Sequence, residues 1–411
     1  MKKIVGLLSF LLLFLTACNQ PNSIDVEITN TLNENRHNEI IEIELSEINQ
    51  ALNKNDNQSF IILNDKLEQI PYQITYDKKV IFTLYIEANE KIICHIRKGI
   101  PEKYTTYSCG KLYPERFDDL AWENDLVGFR AYGPTLQQKG EKAYGYDLFA
   151  KRGTTKPVLG NMYAMETDEI AWSEIMALRE IDMEASERLR KSITYHTDKG
   201  YGMDCYAVGP TLGAGANALL DEERILYPWC FKDYEILDNG PLRFTVKLRF
   251  TPTNIQGKQV TETRIISLDA GSHFNRTLVS YENLTKTLPL VTGIVLHDKE
   301  GLMTWNDQKE YMTYQDPTTG PNQGRLFIGH IFTEKINNIS ASYFSEEESK
   351  NRNQAKGHLL AETTIDPNST YEYYWGFGWS RSDIRTYDIW NVHVEDFINR
   401  LKHPLKIEII N

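Results

Sequence analysis

The sequence has few cysteines and no familiar cofactor motif, and these two absences narrow the classes of protein that it can encode. Its 411 residues contain five cysteines, none in a CxxC pair and none spaced with histidines as zinc ligands are. No GxGxxG segment, phosphate loop or CxxCH motif is present, which excludes the common nucleotide, flavin and haem sites. Basic runs are missing too, and a net charge of −12 is a poor match for nucleic acid. We therefore expect no cofactor and no nucleic-acid partner.

Long hydrophobic runs are also missing, apart from a short one at the N-terminus. Lys2 and Lys3 precede an apolar stretch at 4–15, which is too short to span a bilayer and leads into Leu-Thr-Ala-Cys at 15–18. This ending resembles the bacterial lipobox, whose cysteine is lipidated and becomes the first residue. The resemblance predicts a signal peptide at 1–17, lipidation of Cys18 and a tether at 18–22. It also predicts an envelope protein anchored to the outer membrane and facing the periplasm, whereas an ordinary secretory signal would export the chain without an anchor.

Alternation of apolar and polar residues dominates the rest of the chain. Segments such as 24–29 and 242–250 alternate with a period of two, which is typical of half-buried strands between turns. Apolar residues at helical spacing interrupt this pattern at 166–192 and again at 385–402. We predict a mainly β protein, a large β-sandwich with a helical insertion and a C-terminal helix, forming one domain over 23–411. Cys94–Cys109 and Cys205–Cys230 are candidate disulfides of an exported chain, although a core of this size does not need them.

The stretch 195–217 concentrates glycines and titratable side chains. Its five glycines let the backbone turn and approach a ligand closely, while His196, Asp198 and Asp204 supply groups that bind or transfer protons. This pattern favours a functional loop on a rigid scaffold. The alternative is a glycine-rich hairpin in which the polar side chains only hold the turn.

A second dense region spans 112–152. Arg130 and Tyr132 lie two residues apart in a predicted strand and therefore share one face, beside several carboxylates. The guanidinium could bind a uronate carboxylate in a bidentate way or pair internally, and the sequence leaves both interpretations open. We predict no metal site, since loop aspartates usually cap turns. Calcium is the one metal that converging aspartates would suit, and the candidates are Asp118, Asp119, Asp125, Asp198 and Asp204.

Several motifs in a fixed order are similar to those of domain-of-unknown-function family 4861. They are DLAWEND at 119–125, YGYD at 144–147, YH at 195–196, VGPTLG at 208–213, TETR at 261–264, SLDAG at 267–271, GIVLH at 293–297 and WGFGW at 375–379. The resemblance covers nearly the whole mature chain. It implies a galactose-mutarotase-like β-supersandwich exported by glycan-degrading bacteria alongside uronate-processing enzymes. It implies no catalytic residue.

The leading hypothesis is a carbohydrate-active enzyme on uronic-acid-containing oligosaccharides. Hydrolysis needs two carboxyl groups across the scissile bond, for which Glu123 and Asp204 are the candidates. Elimination at a uronate needs a base, His196 or Tyr195, and a group that stabilises carboxylate charge. Side chains expected to bind the sugar are Trp122, Asn124, Arg130, Tyr132, His297 and Trp379. The alternatives are a non-catalytic glycan-binding lipoprotein and a mutarotase-like epimerase.

Overall fold

The computed structural model describes residues 23–53, 58–154, 156–222 and 224–410. The signal peptide, Cys18 and the whole of the tether at 18–22 lie outside the described residues and stay predictions. Among the helices described, none combines the length and apolarity that crossing a membrane requires. The four cysteines after Cys18 are unpaired, so the structure contradicts both candidate disulfides.

Antiparallel sheets make up most of the chain, and strands are numbered here from the N-terminus. Sheet A contains β1 (Ser23–Thr29), β3 (Phe60–Leu63), β4 (Gln69–Ile70), β7 (Lys91–Lys98) and β27 (Lys406–Ile410). Sheet B contains β2 (Arg36–Glu44), β5 (Tyr72–Ile74) and β6 (Lys79–Ile86). Sheet C contains β8 (Cys109–Tyr113), β9 (Asp119–Glu123), β10 (Val127–Ala131), β11 (Tyr146–Lys151) and β12 (Gly202–Asp204).

Two further sheets complete the sandwich. Sheet D contains β13 (Asn217–Asp221), β14 (Arg224–Leu226), β20 (Leu288–Leu296), β24 (Asn338–Tyr343) and β25 (Gly357–Ile365). Sheet E contains β15 (Phe231–Asn239), β16 (Arg243–Phe250), β17 (Thr253–Ile255), β18 (Lys258–Asp269), β19 (Phe274–Glu282), β21 (Met303–Trp305), β22 (Tyr311–Asp316), β23 (Leu326–Phe332) and β26 (Thr370–Trp379). The helices are α1 (Leu45–Ala51), α2 (Pro134–Gln138), α3 (Leu159–Glu166), α4 (Glu169–Arg179), α5 (Met183–Ile193), α6 (Glu346–Asn351) and α7 (Tyr387–Lys402). The predicted fold class, including the helical insertion and the C-terminal helix, is confirmed.

The main core lies between sheet E on one side and sheets C and D on the other. Alternate residues of β26, including Tyr373, Trp375 and Phe377, pack against Trp122 of sheet C and Leu290 of sheet D in one cluster. Burial of these apolar side chains on facing sheets is the main driving force for the sandwich. Sheets A and B enclose a separate core of their own. The prediction of a single domain over 23–411 therefore stays a prediction.

Helices cover the outward faces of two sheets. The insertion α3–α5 packs on the outer face of sheet C, where Leu159, Met162 and Tyr163 meet Phe149 and other residues of the sheet. Helix α7 packs on the outer face of sheet E through Trp390, Val394 and Ile398.

Two buried histidines hold the glycine-rich segment 208–214 against the core. The Leu212 N–H donates to Nε2 of His358 (3.1 Å), and a ring nitrogen of His330 lies 3.0 Å from the Ala214 carbonyl. Burial lowers the pKa of His358 to about 3 and that of His330 to about 4. Both rings are therefore neutral near pH 7, as the hydrogen bond accepted by His358 requires.

We expect His358→Gln to flatten the acid side of the stability curve. Below about pH 6.5 the unfolded chain protonates this histidine while the folded chain does not, so falling pH favours unfolding by up to about 1.4 kcal/mol per pH unit. Glutamine does not titrate, yet its amide oxygen can accept the Leu212 N–H. Urea unfolding near pH 7 and pH 5 should show that the wild type loses about 2 kcal/mol more than the variant. His37→Gln, at an exposed ring, is the matched control, and equal losses in wild type and His358→Gln would contradict this account.

Candidate functional site

Arg130 is the centre of a buried ionic cluster on the outer face of sheet C. Strand register places it opposite Ala121 of β9 and Asp147 of β11, so side chains from several strands converge on its guanidinium. Its Nη1 lies 3.3 Å from Asp119, its Nη2 lies 3.0 Å from Asp204, and Asp147 also accepts from Nη2. Two tyrosine hydroxyls complete the shell, those of Tyr195 (3.1 Å) and Tyr132 (3.3 Å).

Burial in this cluster shifts the protonation of Asp204 and Asp119. Burial raises the pKa of Asp204 to about 6, and the neighbouring charge of Asp147 adds to the effect. Burial likewise raises the pKa of Asp119 to about 6, although Arg130 and Arg116 oppose it. His196 lies at the edge of the cluster, with Nδ1 3.2 Å from the Asp204 carbonyl and 3.7 Å from its carboxylate.

The structure thus brings together five of the predicted site residues: Tyr195, His196, Asp204, Arg130 and Tyr132. Arg130 is 4% exposed and Asp204 only 1%, and α3–α5 cover them. Of this group His196 alone reaches solvent substantially, with half of its side chain exposed. The cluster fits the internal Arg–carboxylate interpretation, and it ties the helical insertion to sheet C.

Glu123 lies far from Asp204. In the sheet register Glu123 pairs with Gly128, Gly128 with Phe149, and Phe149 with Asp204, so the two carboxylates are separated by three strand spacings, about 14 Å. Paired glycosidase carboxylates lie roughly 5–10 Å apart. Glu123 instead binds Lys151 (2.6 Å) and accepts the Leu159 N–H at the start of α3. The structure therefore contradicts Glu123 and Asp204 as a hydrolytic pair, because both are committed to separate buried partners.

Two predicted sugar-stacking tryptophans have no open ring face. Trp122 is fully buried in the main core, and its indole N–H donates to Asn275 (2.8 Å). Trp379 is 2% exposed, with Arg152 and Arg381 at 5.3 and 5.5 Å from its ring centre. A sugar ring cannot reach either indole, because both side chains point from their strands into the core.

The other predicted binding residues act on neighbouring protein groups. His297 bonds Asp316 through Nδ1 (2.6 Å); burial alone would lower its pKa, but the charge and hydrogen bond of Asp316 raise it. Asn124 is buried and donates to the carbonyls of Asp269 (2.6 Å) and Ser272 (2.7 Å). It therefore holds the turn between β18 and β19 rather than touching a ligand.

The candidate calcium ligands do not converge. Asp119 and Asp204 bind Arg130, while Asp198 binds Arg152. Asp118 accepts from the Thr135 hydroxyl, and Asp125 accepts from the Gly271 N–H. Throughout the part of the chain that the structure describes, no group of three or more His, Cys, Asp or Glu side chains is arranged to hold a metal ion.

A cleft of about 460 Å³ lies elsewhere, between β2 of sheet B, the outer face of sheet E and α7. None of the residues predicted to form the site lines it. Its volume suits a ligand of a few sugar rings, because such sites usually measure roughly 300–1,000 Å³. Tyr374 and Phe397 contribute aromatic surface, and the turn that Asn124 holds forms one wall. This cleft is the candidate active site.

Three arginines line the cleft, and they differ in how many of their nitrogen atoms already contact a carboxylate. Arg243 is saturated, since Nε and Nη2 contact Asp269 at 2.5 and 2.8 Å and Nη2 also contacts Glu42. Arg276 uses only Nε, which donates to Glu372 (2.7 Å). Arg400 approaches Glu39 no closer than 3.7 Å. Within the described residues, the Nη groups of Arg276 and Arg400 have no hydrogen-bond partner, so both can bind an anion.

Sequence reasoning missed the cleft residues although signals for them exist. SLDAG at 267–271 was noted as a motif, and His273 follows two residues later. His393, Phe397 and Arg400 are spaced i, i+4 and i+7 on α7, which places an imidazole, an aromatic ring and a guanidinium on one helix face. That mixed stripe could have been recognised as a binding face from the sequence. Which sheet packs against the stripe could not be recognised in this way.

Comparison with known proteins gives a family and a distant structural likeness. The model of the family described as "Domain of unknown function (DUF4861)" matches residues 28–407. An uncharacterised protein, P7 of Formosa agariphila, is 26% identical over 319 residues, which are 76% of this chain and 72% of that protein. Two solved structures from Enterococcus faecalis are similar at 6% and 7% identity, a glycosyl hydrolase family 38 protein (TM-score 0.48) and an alpha-mannosidase (TM-score 0.46). Each likeness covers 95% of this chain but 48% and 46% of the other, so the chain spans about half the length of those structures.

Proposed function

Since this chain belongs to the DUF4861 family, we propose that it is a carbohydrate-active enzyme that binds uronic-acid-containing oligosaccharides in the cleft. The observation that carries the proposal is a pair of guanidinium groups whose Nη atoms have no hydrogen-bond partner within the described residues, those of Arg276 and Arg400, on opposite elements of one cleft. Guanidinium groups bind carboxylates with two parallel hydrogen bonds, which suits a uronate better than a neutral sugar. The predicted setting, an exported lipoprotein of glycan-degrading bacteria, supports the same substrate class.

Aromatic surface beside the two arginines supports a sugar ligand over a simple anion. Tyr374 extends from β26, and Phe397 packs edge-on against it from α7. Flat aromatic faces with polar neighbours stabilise pyranose rings by apolar contact. The cleft therefore offers aromatic side chains to the sugar ring and guanidinium groups to its carboxylate.

We expect Arg276→Gln and Arg400→Gln each to weaken uronate binding by about tenfold to a hundredfold, because a charge-assisted hydrogen bond contributes about 1.5–3 kcal/mol. Calorimetry with short C4-linked oligosaccharides of galacturonate and of glucuronate measures this loss. Carboxyl-reduced oligosaccharides should bind the wild type and both variants about equally weakly. Arg249→Gln, which breaks an exposed ion pair with Glu282 outside the cleft, is the matched control.

Product analysis of the same mixtures decides whether binding leads to reaction. New absorbance of a conjugated unsaturated uronate indicates elimination, and a mass gain of one water with new reducing ends indicates hydrolysis. Binding with neither product would favour the glycan-binding lipoprotein over the enzyme as the function of this protein. If the wild-type protein binds no uronate, or if the arginine variants bind uronates as tightly as the wild type does, the assignment of the cleft as the uronate-binding site is refuted.

A further inference from the structure

Two imidazoles meet at the end of the cleft, where β19 begins. The rings of His273 and His393 lie 4.9 Å apart between centroids and are nearly perpendicular, and both residues line the cleft. Nε2 of His273 lies 3.1 Å from the carboxylate of Asp383. Nδ1 of the same ring is buried and has no hydrogen-bond partner within the described residues. A buried ring nitrogen without a partner is costly in a folded protein, and it points to a group that a ligand would satisfy.

The two rings have different environments. Phe274 and Trp390 lie nearly parallel to His393, at 5.6 and 5.7 Å between ring centres. This burial lowers the pKa of His393 to about 3, with the charges of His273 and Arg400 contributing, so His393 is a neutral base near pH 7. Burial alone would raise the pKa of Asp383, but its hydrogen bond to His273 and the charge of that ring lower it to about 2.

We infer that His393 and His273 are the base and the acid of an elimination at a uronate, an inference that rests on the proposed function. His393 takes the proton from C5, which lies next to the carboxylate that Arg276 and Arg400 would hold. The C–H electron pair forms the C4–C5 double bond, and the bond from C4 to the glycosidic oxygen breaks. The leaving oxygen takes a proton from Nδ1 of His273, whose ring is held on its other side by the carboxylate of Asp383. No external oxidant or metal is needed, and the products are an unsaturated uronate and a shortened sugar.

The carboxylates of the cleft favour elimination over hydrolysis. Hydrolysis would need a carboxyl group that keeps its proton near neutral pH. Burial alone would raise the pKa of Glu42, yet Arg243 and Lys79 lower it, so this group is ionised. Asp269 is held in a bidentate contact by Arg243, and Glu39 contacts Nη1 of Arg36 at 3.0 Å. These groups act as partners of arginine, and the imidazoles remain the proton-transfer groups.

The decisive variant is His393→Phe, which keeps an aromatic ring beside Phe274 and Trp390 but removes the nitrogens. With C4-linked oligogalacturonate and oligoglucuronate, we expect kcat for the unsaturated product to fall about 10²–10⁴-fold, the usual contribution of a general base. KM and calorimetric affinity should stay close to wild type, because the arginines are untouched. His95→Phe, at an imidazole that pairs with Asp25 on sheet A outside the cleft, should leave kcat nearly unchanged. Circular dichroism and thermal unfolding establish that each variant is folded, and His393→Asn provides a second test should the Phe variant fail to fold.

The outcomes separate this inference from the proposed function. Binding by the wild type together with a selective loss of kcat in the folded variant would support the inference. Full turnover by His393→Phe, or products that carry an added water, would overturn it while the uronate cleft stands. Binding without any turnover would overturn it as well. No binding of either oligosaccharide by the wild type would overturn both.

Discussion

Arg130→Met will destabilise the protein by about 3–5 kcal/mol, because removing one partner of a buried ionic network leaves uncompensated charge. Asp119, Asp147 and Asp204 all contact this one guanidinium, and all are at most 1% exposed. Methionine fills a similar volume, so the loss reports on charge rather than on a cavity. Urea unfolding near pH 7 measures it, as a lower midpoint with little change in slope.

Two variants separate this effect from ordinary loss of an arginine. Arg249→Met removes an exposed pair with Glu282 at 2.8 Å, and such pairs contribute only about 0–1 kcal/mol. Asp204→Asn should cost far less than Arg130→Met, because burial and the charge of Asp147 already raise the pKa of Asp204 to about 6. An Arg130→Met variant as stable as Arg249→Met would show that the cluster contributes nothing to the fold.

Gly376→Ala will damage both stability and turnover. An added Cβ would lie 1.9 Å from the His273 carbonyl oxygen and 2.9 Å from the Phe274 Cα, so the backbone at the start of β19 must shift. Overpacking of this kind typically costs about 1–3 kcal/mol. Because His273 moves with its carbonyl, a displacement of about 1 Å should lower kcat about a hundredfold. Thermal unfolding and the elimination assay with oligogalacturonate measure the two effects.

Gly160→Ala is the control for this prediction. Gly160 lies in α3, and an added Cβ there would meet no atom within 4 Å. Alanine also has the higher helix propensity, so the control should be neutral or up to about 1 kcal/mol more stable than wild type. A Gly376→Ala variant that folds and reacts as the control does would refute the close packing of β26 on His273.

The sequence alone was sufficient for the elements, because their signals are local. Alternation over 242–250 predicted β16, and helical spacing over 385–402 predicted α7, within two residues of each end. Gly376 and Gly378, the glycines of the WGFGW motif, both lie where another part of the chain approaches the backbone closely. The neighbours themselves, the His273 carbonyl and the Ile384 side chain, come from other parts of the chain and carry no local signal.

Tertiary structure decided which face of each strand became part of a site. A period of two placed Glu123 and Arg130 on one face of sheet C, but it could not show that α3–α5 cover that face or that register sets Glu123 about 14 Å from Asp204. The same period brought Trp122 to the opposite face, which became the core. Residue types therefore predicted where charge would cluster but not whether solvent would reach it.

The sequence by itself determined the mainly β fold, its helical insertion and its family, since these follow from local periodicity and an ordered set of motifs. Only the tertiary structure decided where a ligand can bind. The cleft joins Glu42 of β2, Arg276 of β19 and His393 of α7, which are separated by more than a hundred residues along the chain. Such a site arises from long-range packing of one sheet against another and against a helix, and no short-range pattern encodes that packing.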